Sequence, residues 1–192
     1  MRSVLMALVA LALLGLNAWA SVPDPDYCSV GPLDSWTSPK LIGVPTDARA
    51  EGDYTIHVAA YGGTPIANAE VYVEVNSACD GLCICDAWVN PVYTDVNGDC
   101  TIHVRFGGCC EMAAAATVFA DGTPIRSYPV MASPDWNGVT GDCQVLLGDF
   151  TQFATAFGSA DPCSDLAGGD GSVLLGDFTM FATYFGVTCT NS

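Results

Sequence analysis

The chain is 192 residues long and carries 5 Lys and Arg against 21 Asp and Glu, a formal charge of −16. Such a charge excludes a polyanion such as nucleic acid as the main partner, and two histidines with five basic residues leave little for general-base work near neutrality or for clamping phosphate. With 51% apolar and 14% charged residues, the chain can build a hydrophobic core and is not a disordered acidic tail.

In residues 1–20, Arg2 precedes an uncharged apolar run from Val4 to Leu16, and Ala18-Trp19-Ala20 supplies a small-x-small cleavage site before Ser21. This is the pattern of a secretory signal peptide. The run is too short to span a bilayer, and no other stretch approaches the ~20 apolar residues a spanning helix needs. No cysteine follows the cut to take a lipid. The remainder is therefore expected to be secreted or held at the cell surface, without membrane insertion. All ten cysteines (28, 79, 83, 85, 100, 109, 110, 143, 163 and 189) lie beyond the signal. In an oxidising compartment they are expected to pair as disulfides. Cys83-Ile84-Cys85 and Cys109-Cys110, with His103 nearby, lack the C-x-x-C or H-x(3 to 5)-H spacing of a zinc site. A boundary near residue 132 leaves seven cysteines before it and three after. If every thiol pairs, at least one bridge must cross that boundary, in a connectivity the spacing leaves open.

Residues 21–132 read as strands and turns. Glu70 to Val75 alternates, with Val71, Val73 and Val75 on one face and Tyr72 and Glu74 on the other, the signature of a half-buried strand. Further strands are predicted at Tyr54 to Tyr61, Ala114 to Ala120 and Ile125 to Met131, the last two joined through Asp121-Gly122-Thr123-Pro124. Asn97-Gly98, between Val92-Tyr93-Thr94 and Thr101-Ile102-His103-Val104, is read as a hairpin turn. The sum is a small all-β sandwich. Thr-Ile-His-Val occurs at 55–58 and again at 101–104, and each histidine is read as a solvent-side strand residue; a metal site would need the two strands paired in register.

Residues 133–192 change to helical spacing with an internal repeat. Val145 to Gly158 returns as Val173 to Gly186 with twelve of fourteen positions identical. Within each copy three phenylalanines fall at i, i+3 and i+7, one face of a short helix closed by a glycine. Helices of about ten residues do not hold alone in water, so the two are expected to pack Phe face against Phe face. Before each lies an acidic, glycine-bearing loop that ends on an aspartate at the helix start, the donor set a calcium site uses. The candidate ligands are Asp135, Asn137, Asp142, Gln144 and Asp149 in the first loop, with Val145 as its apolar anchor. In the second they are Asp165, Asp170, Ser172 and Asp177, with Gly171 at the turn and Val173 as the anchor. Asp95-Val96-Asn97-Gly98-Asp99 imitates such an opening but has Phe106 where a closing carboxylate would stand, so it reads as a turn.

At Asp135-Trp136-Asn137-Gly138, at Asp165-Leu166-Ala167-Gly168-Gly169-Asp170-Gly171 and at the twice-occurring Val-Leu-Leu-Gly-Asp-Phe, the chain resembles a dockerin, a module of paired calcium loop-helix units related to half of an EF-hand. The resemblance covers about residues 133–188. The preceding strands resemble bacterial immunoglobulin-like modules, through turns such as Thr94-Asp95-Val96-Asn97-Gly98. The expected architecture is thus mainly β with a small α module: an immunoglobulin-like sandwich over 21–132, then a dockerin-like pair over 133–192. The loops depart from the family pattern. Asp135 to Asp149 is 15 residues and Asp165 to Asp177 is 13, against roughly twelve in a standard loop. Cys143 stands where the turn glycine is expected, and Leu146 and Leu174 replace the usual ninth-position oxygen.

The resemblance implies a non-catalytic protein that binds calcium and attaches through its helix face to a cohesin-like partner or cell-surface scaffold, with Leu147, Thr151, Leu175 and Thr179 near that face. The near identity of the repeats implies two docking orientations related by a pseudo-dyad. The other readings are a purely structural surface module with degenerate, disulfide-held loops and, behind it, a small carbohydrate-active enzyme with an attachment tag. No Gly-x-Ser-x-Gly elbow or phosphate-cradling loop is present.

Overall fold

The computed structural model describes residues 21–46 and 52–189, so the predicted signal peptide at 1–20 lies outside the described residues. Twelve strands, a 3-10 turn at Leu33–Ser35 and two helices follow one another along the described chain. A three-stranded sheet joins β1 (Ser29–Gly31), β3 (Asp53–His57) and β9 (Asp99–His103). The five-stranded sheet runs β2 (Leu41–Ile42), β12 (Thr123–Ala132), β11 (Cys110–Ala120), β6 (Glu70–Val75), β8 (Val92–Tyr93). Two short pairs complete the strands, β4 (Ala59–Ala60) with β5 (Thr64–Pro65) and β7 (Cys83–Ile84) with β10 (Phe106–Gly107).

Alternation decides which side chains fill the sandwich. Val30, Ile56 and Ile102 from the three-stranded sheet meet Val71, Val73, Val118 and Tyr128 from the five-stranded one in a single buried cluster. On the outer surface, Tyr72 and Phe119 are register partners whose rings stack at 5.1 Å. The Asp121-Gly122 turn joins β11 to β12 with both residues at positive φ, which matches the twist of a two-residue hairpin.

Asn97-Gly98 does not make a hairpin. The run before it becomes β8 and pairs with β6, while the run after it becomes β9 and pairs with β3, so the turn carries the chain from one sheet to the other. Asp95 organises that turn: its Oδ1 accepts from the Asn97 and Asp99 amides, which hold its carboxyl below the usual range. The turn reading of this calcium-like motif therefore stands.

The helices are α1 (Leu147–Ala156) and α2 (Leu175–Tyr184), of the predicted length. Each ends at a glycine in the left-handed region, Gly158 at φ 80° and Gly186 at φ 83°. Loops and helices are interlocked. Val145 N–H donates to the Val187 carbonyl and the Val145 carbonyl accepts from Gly186 N–H, while Val173 makes the matching bonds to Ser159 and Gly158. Phe153 and Phe181 stack at 5.1 Å and are buried, but Phe150, Phe178, Phe157 and Phe185 are only partly covered. Phe150 also meets Phe181 at 6.0 Å and Phe153 meets Phe178 at 6.2 Å, so the predicted Phe-to-Phe packing holds across three ring pairs while the outer edge of the face stays open.

No clean seam falls at residue 132. Ile42, Val44, Val130 and Ala132 share one buried cluster with Val145, Phe153, Leu166, Val173, Phe181 and Tyr184. Three disulfides also cross the boundary: Cys83–Cys143, Cys85–Cys189 and Cys109–Cys163. Cys79–Cys110 stays within the sandwich. The expectation that all ten cysteines pair is corrected at Cys28 and Cys100, which remain thiols. Cys28 precedes β1 and Cys100 lies on β9, with β3 between them. Burial pushes both thiols up, Cys100 to about 11 with Asp99 and Asp95 adding to the effect, so both stay protonated.

Candidate functional site: two acidic loops and an exposed helix face

Both loops close in the same way. Asp149 Oδ2 accepts from Leu146 N–H and Asp177 Oδ2 from Leu174 N–H, each at 2.7 Å, so the aspartate in the first turn reaches back to cap its own helix. Cys143 takes φ 66° where Gly171 takes φ 85°. The cysteine thus adopts a glycine conformation, and its bridge to Cys83 holds it there.

In the first loop Asp135 is fully buried. Its Oδ1 accepts from Asp142 N–H at 3.2 Å, while Oδ2 has no hydrogen-bond partner. Its carboxylate packs against Gly107, where a Cβ would collide with it, and its carbonyl accepts from Gly108 N–H. Burial, with Asp149 and Asp142 adding negative charge, pushes Asp135 up to about 7 against the pull of backbone amides. Asp149 is raised for the same leading reason. Asn137 Oδ1 accepts from the Val139 and Thr140 amides, and Asp142 Oδ1 from Gln144 N–H, whose own side chain is exposed.

The second loop is neutralised differently. Lys40, from the segment leading into β2, is buried with Nζ 2.8 Å from Asp165 Oδ2 and 3.0 Å from the Pro162 carbonyl. Asp165 is buried too; Gly171 N–H donates to the same Oδ2, and Oδ1 is unpartnered. Asp177 Oδ1 accepts from both Leu166 and Ala167 amides at 2.7 Å. Asp170 Oδ1 accepts from Ser172 N–H at the exposed edge. Gly169 closes the contact with the sandwich: Ser38 N–H donates to its carbonyl at 2.8 Å, and a Cβ there would stand 2.6 Å from the Ser38 oxygen.

Calcium asks for several oxygens around one point. Among the histidines, cysteines, aspartates and glutamates of the described residues, the only three whose donor atoms all lie within 4.8 Å of one another are Cys85, Cys143 and Cys189, which belong to two disulfides. The carboxylates of neither loop converge in that way. The first loop still offers what a cation would take up: a buried, unpartnered Asp135 oxygen with Asp149 and Asp142 close enough to raise its pKa. Asp135, Asp142 and Asp149 are the residues that would hold it. The second loop does not fit, because an ammonium and four amides already engage Asp165 and Asp177.

The helix face is twinned. Leu147 and Leu175 are 68% and 70% exposed, Phe150 and Phe178 39% each, Phe157 and Phe185 52% and 51%. Leu147, Phe150, Phe178 and Phe185 line a groove of about 440 Å³ floored by Phe181 and Ala182. Thr151 and Thr179 are exposed, with hydroxyls turned back onto the Leu147 and Leu175 carbonyls at 2.9 Å. They are not equivalent, since Thr179 also lines a second hollow with Trp36, Tyr54 and Met180 on the sandwich side.

His57 and His103 are partly exposed, as expected, and β3 pairs with β9. The register sets each histidine opposite an aspartate, His57 with Asp99 at 2.7 Å and His103 with Asp53 at 2.9 Å, so the two imidazoles do not meet. Lys40 is the functional neighbour that sequence reasoning missed. It is the only lysine in the chain, and nothing around Ser38-Pro39-Lys40 marks it as buried.

No family model matches the chain, and no curated protein matches it. Among solved structures, a chain of a type II cohesin–X–dockerin complex from Acetivibrio cellulolyticus, an N-terminal interface mutant, is similar over 78% of this chain and 94% of its own, at 18% identity and a TM-score of 0.30. A likeness that slight decides neither fold nor function.

Proposed function

We propose that this chain is an exported, non-catalytic attachment protein whose loop-helix pair, resembling a dockerin, docks a cohesin-like protein through the open face of α1 and α2, with Ca2+ taken by the first loop. The observation that carries this reading is the twinned apolar face, in which six large hydrophobic side chains lie in matched exposure on and beside α1 and α2, the kind of clustered patch that marks a protein interface. An acidic loop leads into each of the two helices, and four disulfides suit an oxidising compartment. No helix among the described residues is long and apolar enough to cross a membrane.

The test is surface plasmon resonance of the full chain over immobilised recombinant cohesin modules, in CaCl2 and in EDTA. Binding by at least one module, lost at least tenfold in Leu147→Asp/Leu175→Asp and weakened by EDTA, is expected. Silence across the cohesins, or binding indifferent to the double substitution, would sink the reading. A second reading, a structural module of the cell surface, draws on the three bridges that lock the loop-helix pair to the sandwich. It expects the double substitution to change nothing but solubility.

A further inference from the structure

Two loops that look alike in sequence carry different counter-charges. Lys40 and Asp165 are each 1% exposed and their charged atoms lie 2.8 Å apart. A pair so far out of water needs further hydrogen bonds to offset the hydration both charges have lost. Here the Pro162 carbonyl takes a second ammonium proton and the Gly171 amide supports the carboxylate. The lysine is delivered by the sandwich, through the Ser38 to Gly169 hydrogen bond and the packing of Gly169 on Trp36. Around the same loop, Asp177 is filled by the Leu166, Ala167 and Leu174 amides. A divalent cation would have to displace a buried positive charge and deprive three amides of their acceptor, and both steps oppose binding. In the first loop none of the ion pairs found among the described residues involves Asp135, Asp142 or Asp149.

We infer that Lys40 is the resident cation of the second loop, a tethered ammonium that stands in for a divalent ion and confines Ca2+ binding to the first loop. The sandwich thereby orders the second loop-helix unit without metal. The unpartnered, buried Asp165 Oδ1 is the group that would accept a metal once the ammonium is removed. The half of the inference that concerns the first loop rests on the functional reading above; the half that concerns Lys40 does not.

Calorimetric titration of the full chain with CaCl2 tests it, using wild type, Asp170→Asn, Lys40→Met and the Lys40→Met/Asp170→Asn double variant. Wild type is expected to take at most one equivalent, and Asp170→Asn to leave that number unchanged. Lys40→Met should gain one further equivalent, in the ~10⁻⁴ M range of extracellular sites, and the double variant should lose it again. Two equivalents in wild type with one lost in Asp170→Asn would overturn the inference. So would a folded Lys40→Met that gains none. No heat in wild type together with one equivalent in Lys40→Met keeps the lysine's role and removes calcium from the first loop. Should Lys40→Met not fold, wild type against Asp170→Asn still decides, because an equivalent lost in the latter places Ca2+ in the second loop and an unchanged count keeps it out.

Discussion

From the valine anchor to the closing glycine the two repeats differ at two of fourteen positions, and their helices match in length and in the exposure of paired side chains. The loops in front of them part company. Each buries a carboxylate oxygen with no partner, but the first loop's Asp135 has its pKa raised to about 7, whereas the second loop's Asp165 is held in a buried ion pair. Local conformation follows local sequence, whereas the ionic state of each loop follows what the sandwich places against it. On one side that is the backbone at Gly107 and Gly108, on the other the side chain of Lys40.

The strongest way to break this contrast is to neutralise the same position in both loops. Asp165→Asn leaves a buried ammonium without its anion and should cost ~3–5 kcal/mol in urea denaturation. Asp135→Asn in EDTA removes a desolvated negative charge and should cost nothing or raise the midpoint. Equal losses in the two variants would mean that the loops are electrostatically alike after all.

Next in size is the staple beside the second loop. Cys109→Ser/Cys163→Ser opens a bridge of sequence separation 54. It should lower stability by ~2–4 kcal/mol under non-reducing conditions, measured by the same denaturation. A loss confined to α2, read by hydrogen exchange, would show that the two units hold to the sandwich independently.

The pH response sharpens the contrast further. Because the folded-state pKa of Asp135 lies at about 7, above its ordinary 3.8, the folded protein binds this proton more tightly than the unfolded chain does. Stability without calcium should therefore fall as pH rises from about 4 to about 7 and then level off. Asp135→Asn should flatten that limb, and an unchanged slope would remove the raised pKa. The smallest effect is expected on the open face: Leu147→Ser and Leu175→Ser should each shift stability by no more than about 0.5 kcal/mol, and by similar amounts. Unequal costs would show that the twin helices are not equivalent in their packing.

Some of this was readable before any fold was known. The Glu70 to Val75 alternation became β6 with Val71 and Val73 inside, and the Phe spacing became two ten-residue helices that meet at Phe153 and Phe181. Other signals misled. Asn97-Gly98 carries the hairpin dipeptide, yet the runs beside it find their partners in opposite sheets, because pairing is decided across the core rather than across the turn. Ten cysteines suggested that every thiol pairs, but Cys28, just before β1, and Cys100, on β9, are set apart by the intervening β3 and stay free.

By itself the sequence settled what near neighbours along the chain can settle: strand alternation, helix length, the glycine stops, and two acid-rich loops each ending on a capping aspartate. Only the tertiary structure decided which of those loops is neutralised, which cysteines meet, and how much of the phenylalanine face stays open. The reason is one of range. Periodicity records contacts a few residues apart, whereas Lys40 meets Asp165 across 125 positions, and the desolvation that makes their pairing necessary exists only once the core has closed around both.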